Sequence, residues 1–240
     1  MIVFAAIAPH GDVDDDKDLR KAMDELGRRC DAAEPETAVV LTPHNVHVEG
    51  HFAVVTAARV EEWEVDRELA AEIHAALRAG GIPVLSVSFG GNDTTQAEHP
   101  LDWGTEIPLG FTRAPRIVVV CPARDLSLEE HVRAGAAIAR AAAGRRVALI
   151  ASADHGHAHK ADGPYGLDPA AALYDARVLD ILRSDRLDFM PLAADVEAAK
   201  ADSLWQLLML QGAVGSDARA DLLAYACPSY YGMLAAQVSG

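Results

Sequence analysis

Cysteine is scarce in this chain: Cys30, Cys121 and Cys227 are the only three in 240 residues. An odd number without CxxC spacing excludes a disulfide framework and a zinc knuckle, and leaves buried free thiols as the expectation. Basic residues are outnumbered, 21 Lys and Arg against 36 Asp and Glu, for a net charge of −15. That balance speaks against nucleic acid or an anionic membrane surface as partner and leaves small molecules or proteins. The acid is spread over stretches such as Asp12 to Asp18 and Glu61 to Glu72, as expected of a solvated surface. No apolar run approaches the roughly 18 to 20 residues of a bilayer span. Met1 to Ala8 has no basic n-region and runs straight into His10, so a soluble, cytoplasmic protein is expected. No internal repeat or low-complexity linker interrupts the sequence, and residues 1–240 read as one domain.

What is present is a βαβ rhythm. Short Val- and Ile-rich runs at Ile2 to Ile7, Thr37 to Leu41, Val84 to Val87, Ile117 to Cys121 and Val147 to Ala151 are continuous, as strands buried on both faces of a parallel sheet should be. Between them, Asp18 to Ala32, Val65 to Ala79 and Ser127 to Ala143 carry apolar residues at helical spacing, and Ser127 with Glu130 forms a capping box. Phe52 to Val60 is β-branched and follows a polar loop, which suggests an antiparallel excursion. Beyond Ala151 the chain reads as irregular to Pro169, then as helix from Ala170 to Arg183 and from Asp202 to Gln211, with Gly212 as a C-cap. The fold class expected is α/β, a mostly parallel central sheet flanked by helices.

Such folds build their sites at the carboxyl ends of the strands, and three strands here end in histidine. The runs are Ala8-Pro9-His10-Gly11, Thr42-Pro43-His44-Asn45 and Asp154-His155-Gly156-His157. In both Pro-His turns the proline stiffens the support of the imidazole. His10 and His44 are therefore read as ligands of a divalent metal. Two histidines and a carboxylate with open positions suit non-haem Fe(II), and spacing leaves Asp195, Glu197 and Asp202 as candidates for the acid. His74 and His131 fall in helical patterns and read as solvated, while His47, His51 and His159 read as polar loop or pocket residues.

In order, the Pro9-His10 turn, Thr42-Pro43-His44, Leu101 to Leu109, Ser152 to Tyr165 and Leu207 to Ala213 resemble the class III extradiol ring-cleavage dioxygenase superfamily. The pattern is that of the catalytic beta subunit of protocatechuate 4,5-dioxygenase and lies nearest a branch of undefined activity, in which the fourth motif runs into Asp162-Gly163-Pro164-Tyr165-Gly166. The resemblance implies Fe(II), with Zn or Mn as alternatives, held by His10, His44 and Asp202. It implies His157 as acid/base, and Trp103, Thr105 and His155 in the substrate pocket. The implied reaction opens a catechol-like or aminophenol-like ring with insertion of both atoms of O2; the implied partners are that small aromatic substrate and O2, and a second copy or a small second subunit. One residue departs from the pattern. Ring-cleaving members read Leu-Asp-His-Gly where this chain has Leu101-Asp102-Trp103-Gly104, and an indole N–H donates a hydrogen bond but transfers no proton at neutral pH. Trp103 reads equally as a packing residue or as pocket lining. Two other readings stay open: a metal-binding or interaction module without ring cleavage, and a zinc or manganese hydrolase with His157 as base.

Overall fold

The computed structural model describes residues 1–89, 93 and 95–240. In chain order its elements are β1 (Ile2–Ala8), α1 (Lys17–Ala32), β2 (Thr37–Leu41), β3 (Phe52–Val55), β4 (Arg59–Val60), β5 (Trp63–Val65), α2 (Arg67–Ala79) and β6 (Val84–Val87). They continue with β7 (Glu98–His99), α3 (Trp103–Leu109), β8 (Arg116–Cys121), α4 (Leu128–Ala141) and β9 (Val147–Ser152). The last third holds α5 (Pro169–Arg183), α6 (Val196–Ala199), α7 (Leu204–Val214), β10 (Arg219–Ala226) and β11 (Met233–Ser239).

One mixed sheet runs β10-β11-β1-β9-β2-β8-β5-β4-β7, with β3 and β6 branching from β8. Its centre, β1-β9-β2-β8, is parallel throughout. This is the α/β fold the apolar runs predict. The excursion after β2 is present as well: β3 is antiparallel to β8 and parallel to β6. The pleat divides the core in two. Ala5, Ile7, Val39, Leu41, Val118 and Val120 face α2, α4, α5 and α7, whereas Phe4, Ala6, Val40, Ile117 and Val119 face α1 and the end of α3. Cys30 and Cys121 are buried in the second layer, where burial pushes each thiol up to about 12. No helix among the described residues is long and apolar enough to cross a membrane.

Two local readings are corrected. Gly212 is not a C-cap, because α7 continues through it to Val214 and ends at Gly215, φ +87°. A Cβ on Gly212 would stand 1.9 Å from the Val132 carbonyl oxygen, and one on Gly135 would stand 1.8 Å from that of Met209. These glycines let α4 and α7 touch backbone to backbone, so tertiary packing rather than chain termination requires them. His131 is fully buried, not solvated; it shares the inner stripe of α4 with Ala134, Gly135 and Ile138, the spacing of one helix face. The Ala-rich segments β10 and β11 form an antiparallel edge on β1 that periodicity did not signal.

Candidate metal centre

The sheet order sets the site. Because β9 lies between β1 and β2, the three histidine-bearing ends are adjacent at one rim, two strand spacings across in all, about 10 Å. Side chains from the outer two strands lean over the middle one and meet.

His10, 2% exposed, is the most constrained. Its backbone N–H donates to Asp154 Oδ1 at 3.1 Å, and its Nδ1 stands 3.0 Å from Ser152 Oγ. Nε2 is thereby aimed at the centre, 3.2 Å from Asp202 Oδ2 and 3.0 Å from Nε2 of His44. The His44 backbone N–H donates to Thr42 Oγ1 at 3.3 Å, and its Nε2 lies 3.4 Å from the same Asp202 oxygen. Asp202, also buried, uses its other oxygen to accept from the Asp154 N–H at 3.2 Å. Among the described residues this is the one group of three or more His, Cys, Asp or Glu able to hold a metal ion.

The donor set fits a metal. Bonds of about 2.1 Å place neighbouring ligand atoms about 3.0 Å apart in an octahedron and about 3.4 Å apart in a tetrahedron, and the three separations of 3.0, 3.2 and 3.4 Å span that interval. Two imidazole nitrogens facing each other beside a buried carboxylate is an arrangement that a shared divalent cation satisfies. The Ser152 contact is the outer hydrogen bond that fixes a ligating imidazole's tautomer.

The electrostatics follow from that crowding. Burial opposes charge on His10, but Asp154 and Asp202 beside it lift the imidazole to about 9. Burial would raise Asp202, yet His10, His44 and His157 hold it far below the usual carboxylate range. Asp154 moves the other way, pushed up by burial and by the Asp202 charge more than His10 lowers it.

His157 stands in the lining of the cleft beside these residues. Its Nδ1 lies 2.7 Å from the His155 carbonyl oxygen, so Nδ1–H donates there and Nε2 presents a lone pair. That Nε2 stands 4.0 Å from Asp202 Oδ2, beside the triad but outside it. Tyr231 stacks on the ring at 5.5 Å, with Tyr165 and Tyr230 near 6 Å. Gly11 makes room for this wall, since a Cβ there would stand 2.1 Å from the Tyr231 ring. Beyond the triad opens a cleft of about 810 Å³ lined by His157, Trp103, Ile107, Phe111 and the three tyrosines.

The remaining expectations sort by position. Trp103 is 55% exposed at the start of α3; its ring lies 4.5 Å from that of His44, so it lines the cleft and is not packed beneath the rim. Thr105 is fully buried and outside the cleft lining; its hydroxyl donates to Asp102 Oδ2 at 2.7 Å. His155 is fully buried and also outside the lining. It bonds Ser203 Oγ at 3.1 Å, on the opposite side of the extended segment from His157, and burial lowers it to about 4. Asp195 is paired with Arg177 and Glu197 is exposed, so neither joins the triad. His159 bonds the buried Asp175 at 2.9 Å, and His51 lines a separate surface cavity.

Sequence reasoning missed three contributors. Asp154, hidden among histidines, ties His10 to Asp202 through its backbone and side chain. Asp102 accepts from Thr42 Oγ1 at 2.8 Å and from Asn45 Nδ2 at 2.8 Å, locking the loop that carries His44 to the start of α3. The Tyr230-Tyr231 pair carried no motif.

Similarities to known proteins cover nearly the whole chain. The family model described as the catalytic LigB subunit of aromatic ring-opening dioxygenase matches residues 2–237. Protein CA_C1420 of Clostridium acetobutylicum is 25% identical over 190 residues, which are 70% of this chain and 40% of that protein. The chain thus spans less than half the length of this curated relative. A crystal structure of the uncharacterized protein JW3007 from Escherichia coli K12 matches with a TM-score of 0.67 over 99% of each chain at 17% identity, a likeness of fold.

Proposed function

Because the chain belongs to the family of the catalytic LigB subunit of aromatic ring-opening dioxygenases, we propose that it is a non-haem Fe(II) enzyme that opens a catechol-like or aminophenol-like ring and inserts both atoms of O2. The observation that carries this reading is the convergence of His10 Nε2, His44 Nε2 and Asp202 Oδ2 beside an aromatic-lined cleft to which His10 and His44 contribute. Iron bound there supplies the one-electron chemistry with O2 that side chains lack.

The chain's own residues do the rest. The Tyr231, Tyr230 and Tyr165 wall and Trp103 bound a slot for a flat ring, and aromatic faces stack such a ring with about 0.5–1.5 kcal/mol per contact beyond area burial. His157 Nε2, with no hydrogen-bond donor against it among the described residues, accepts the proton of a substrate hydroxyl and returns it as the product forms. Trp103 flanks the cleft beside His44; it offers an N–H, and the proton traffic falls to His157 alone.

Protein reconstituted anaerobically with Fe(II), given protocatechuate or another catechol and then air, is expected to yellow with consumption of one O2 per ring. Silence across a broad panel of catechols and aminophenols would overturn the reading. One observation favours a second reading, a metal-binding module without ring cleavage: the residue over His44 is an indole that carries no titratable proton. Iron bound stoichiometrically with no O2 uptake on any ring would select it.

A further inference from the structure

Two cavities meet at the metal residues, and their charges are opposite. The cleft of about 810 Å³ has Asp12, Asp14 and Glu106 at its rim, and its arginine, Arg20, is paired with Asp14 at 2.6 Å. The second cavity, about 430 Å³, shares His44, His157 and Tyr165 with the first and reaches Asp202; its other charged or titratable lining is Arg124, Lys200 and His47.

Neither Arg124 nor Lys200 has a carboxylate partner among the described residues, although acidic side chains exceed basic ones 36 to 21. Arg124 is held all the same. Its guanidinium lies 4.7 Å over the ring of Trp205, which is 6% exposed. This cation–π contact anchors the guanidinium over the ring and leaves N–H donors for a ligand. Lys200 closes α6 at φ +55°, and the carbonyl of Ala199 just before it accepts from the His157 N–H at 2.8 Å. The turn bearing Lys200 is therefore fastened to the segment bearing His157.

We infer that Arg124 and Lys200 form an anion-recognition subsite of this centre, which takes the carboxylate of an aromatic substrate whose ring lies at the metal residues. The planar fork matches a planar carboxylate bidentately, and Lys200 adds a second positive charge. The acidic rim of the larger cleft repels the same group, so the two cavities together fix which end of the substrate points where. That the rest of the ligand is a ring destined for opening rests on the function proposed above; the subsite itself does not.

The test uses the full chain loaded with Zn(II), which is redox-inert, and follows tryptophan emission during titration with benzoate and, separately, with its uncharged analogue benzamide. Benzoate is expected to bind at least ten-fold more tightly, because only its carboxylate pairs with the two cations, and Trp205 under Arg124 reports the binding. The Arg124→Ala, Lys200→Ala double variant is expected to lose that preference with unchanged zinc content. Equal affinities in the wild type overturn the inference, and so does a preference that survives in the double variant, which would assign the carboxylate to the metal instead. The catechol and O2 measurement is separate: if it fails while the benzoate preference follows Arg124 and Lys200, the subsite stands and the ring-opening reading falls.

Discussion

Nε2 of His10 and Nε2 of His44 stand 3.0 Å apart, with Asp202 Oδ2 within 3.4 Å of both. Two imidazole nitrogens that close, beside a buried carboxylate, share either a proton or a divalent cation. The consequences reach protonation, stability and turnover.

Without metal, the pull of Asp154 and Asp202 outweighs burial and keeps His10 protonated up to about pH 9. A ligating imidazole must be neutral, so metal binding expels that proton. Between pH 6.5 and 9, affinity is expected to rise with pH, and calorimetry in buffers of different ionisation enthalpy should show about one proton released per ion. The metal-free fold shows the opposite trend: a raised pKa contributes stability that is whole below about 6.5 and lost as pH climbs through about 9. Denaturant midpoints of chelator-treated protein measure it.

Acid acts through other histidines. His155 is buried with Nε2 unpartnered, and burial lowers it to about 4; His131 and His99 are lowered for the same reason. Each takes up a proton more readily when unfolded. Stability is therefore expected to fall as pH drops from about 6.5 towards 4. His131→Phe, beside Phe52 in the core, should lessen the fall in urea titrations; an unchanged acid profile would show that His131 takes no part.

Gly135→Ala drives a methyl into the Met209 carbonyl. Overpacking of this kind costs about 1–3 kcal/mol or more. The damage should also reach the site, because α7 begins two residues after Asp202. A lower melting temperature with weakened metal loading is expected, measured by calorimetry and metal analysis on one sample.

His157→Ala separates base from ligand. With Nε2 4.0 Å from Asp202 and outside the triad, its loss should leave metal content intact while ring-opening kcat falls about 10²–10⁴-fold. Loss of metal along with activity would place His157 among the ligands.

Much of this was legible from local signals. Continuous Val and Ile runs announced β1, β2, β8 and β9, and the Pro-His turns marked His10 and His44, because strand burial and proline stiffness act within a few residues. Other features needed distant partners. Asp202 could not be told from Asp195 by spacing, since only the fold shows that Arg177 occupies Asp195. Tyr231 reaches His157 only because Gly11, 220 positions earlier, leaves it space. Gly212 has the local look of a helix end, and only the approach of α4 explains why it is mid-helix. The Ala-rich β10 and β11 lack β-branched residues in number and owe their strand form to pairing, β11 with β1 and β10 with β11. His131 was within reach: positions 131, 134, 135 and 138 repeat at helical spacing, and its polarity concealed its place on the inner stripe.

The metal centre itself is tested most directly by elemental analysis of protein purified without chelators and reloaded with Fe(II), for the wild type and for His10→Ala, His44→Ala and Asp202→Ala. One ion per wild-type chain and less than a tenth of that in each variant, with the fold retained by circular dichroism, is the predicted result. Wild-type metal content in any of the three folded variants would contradict it.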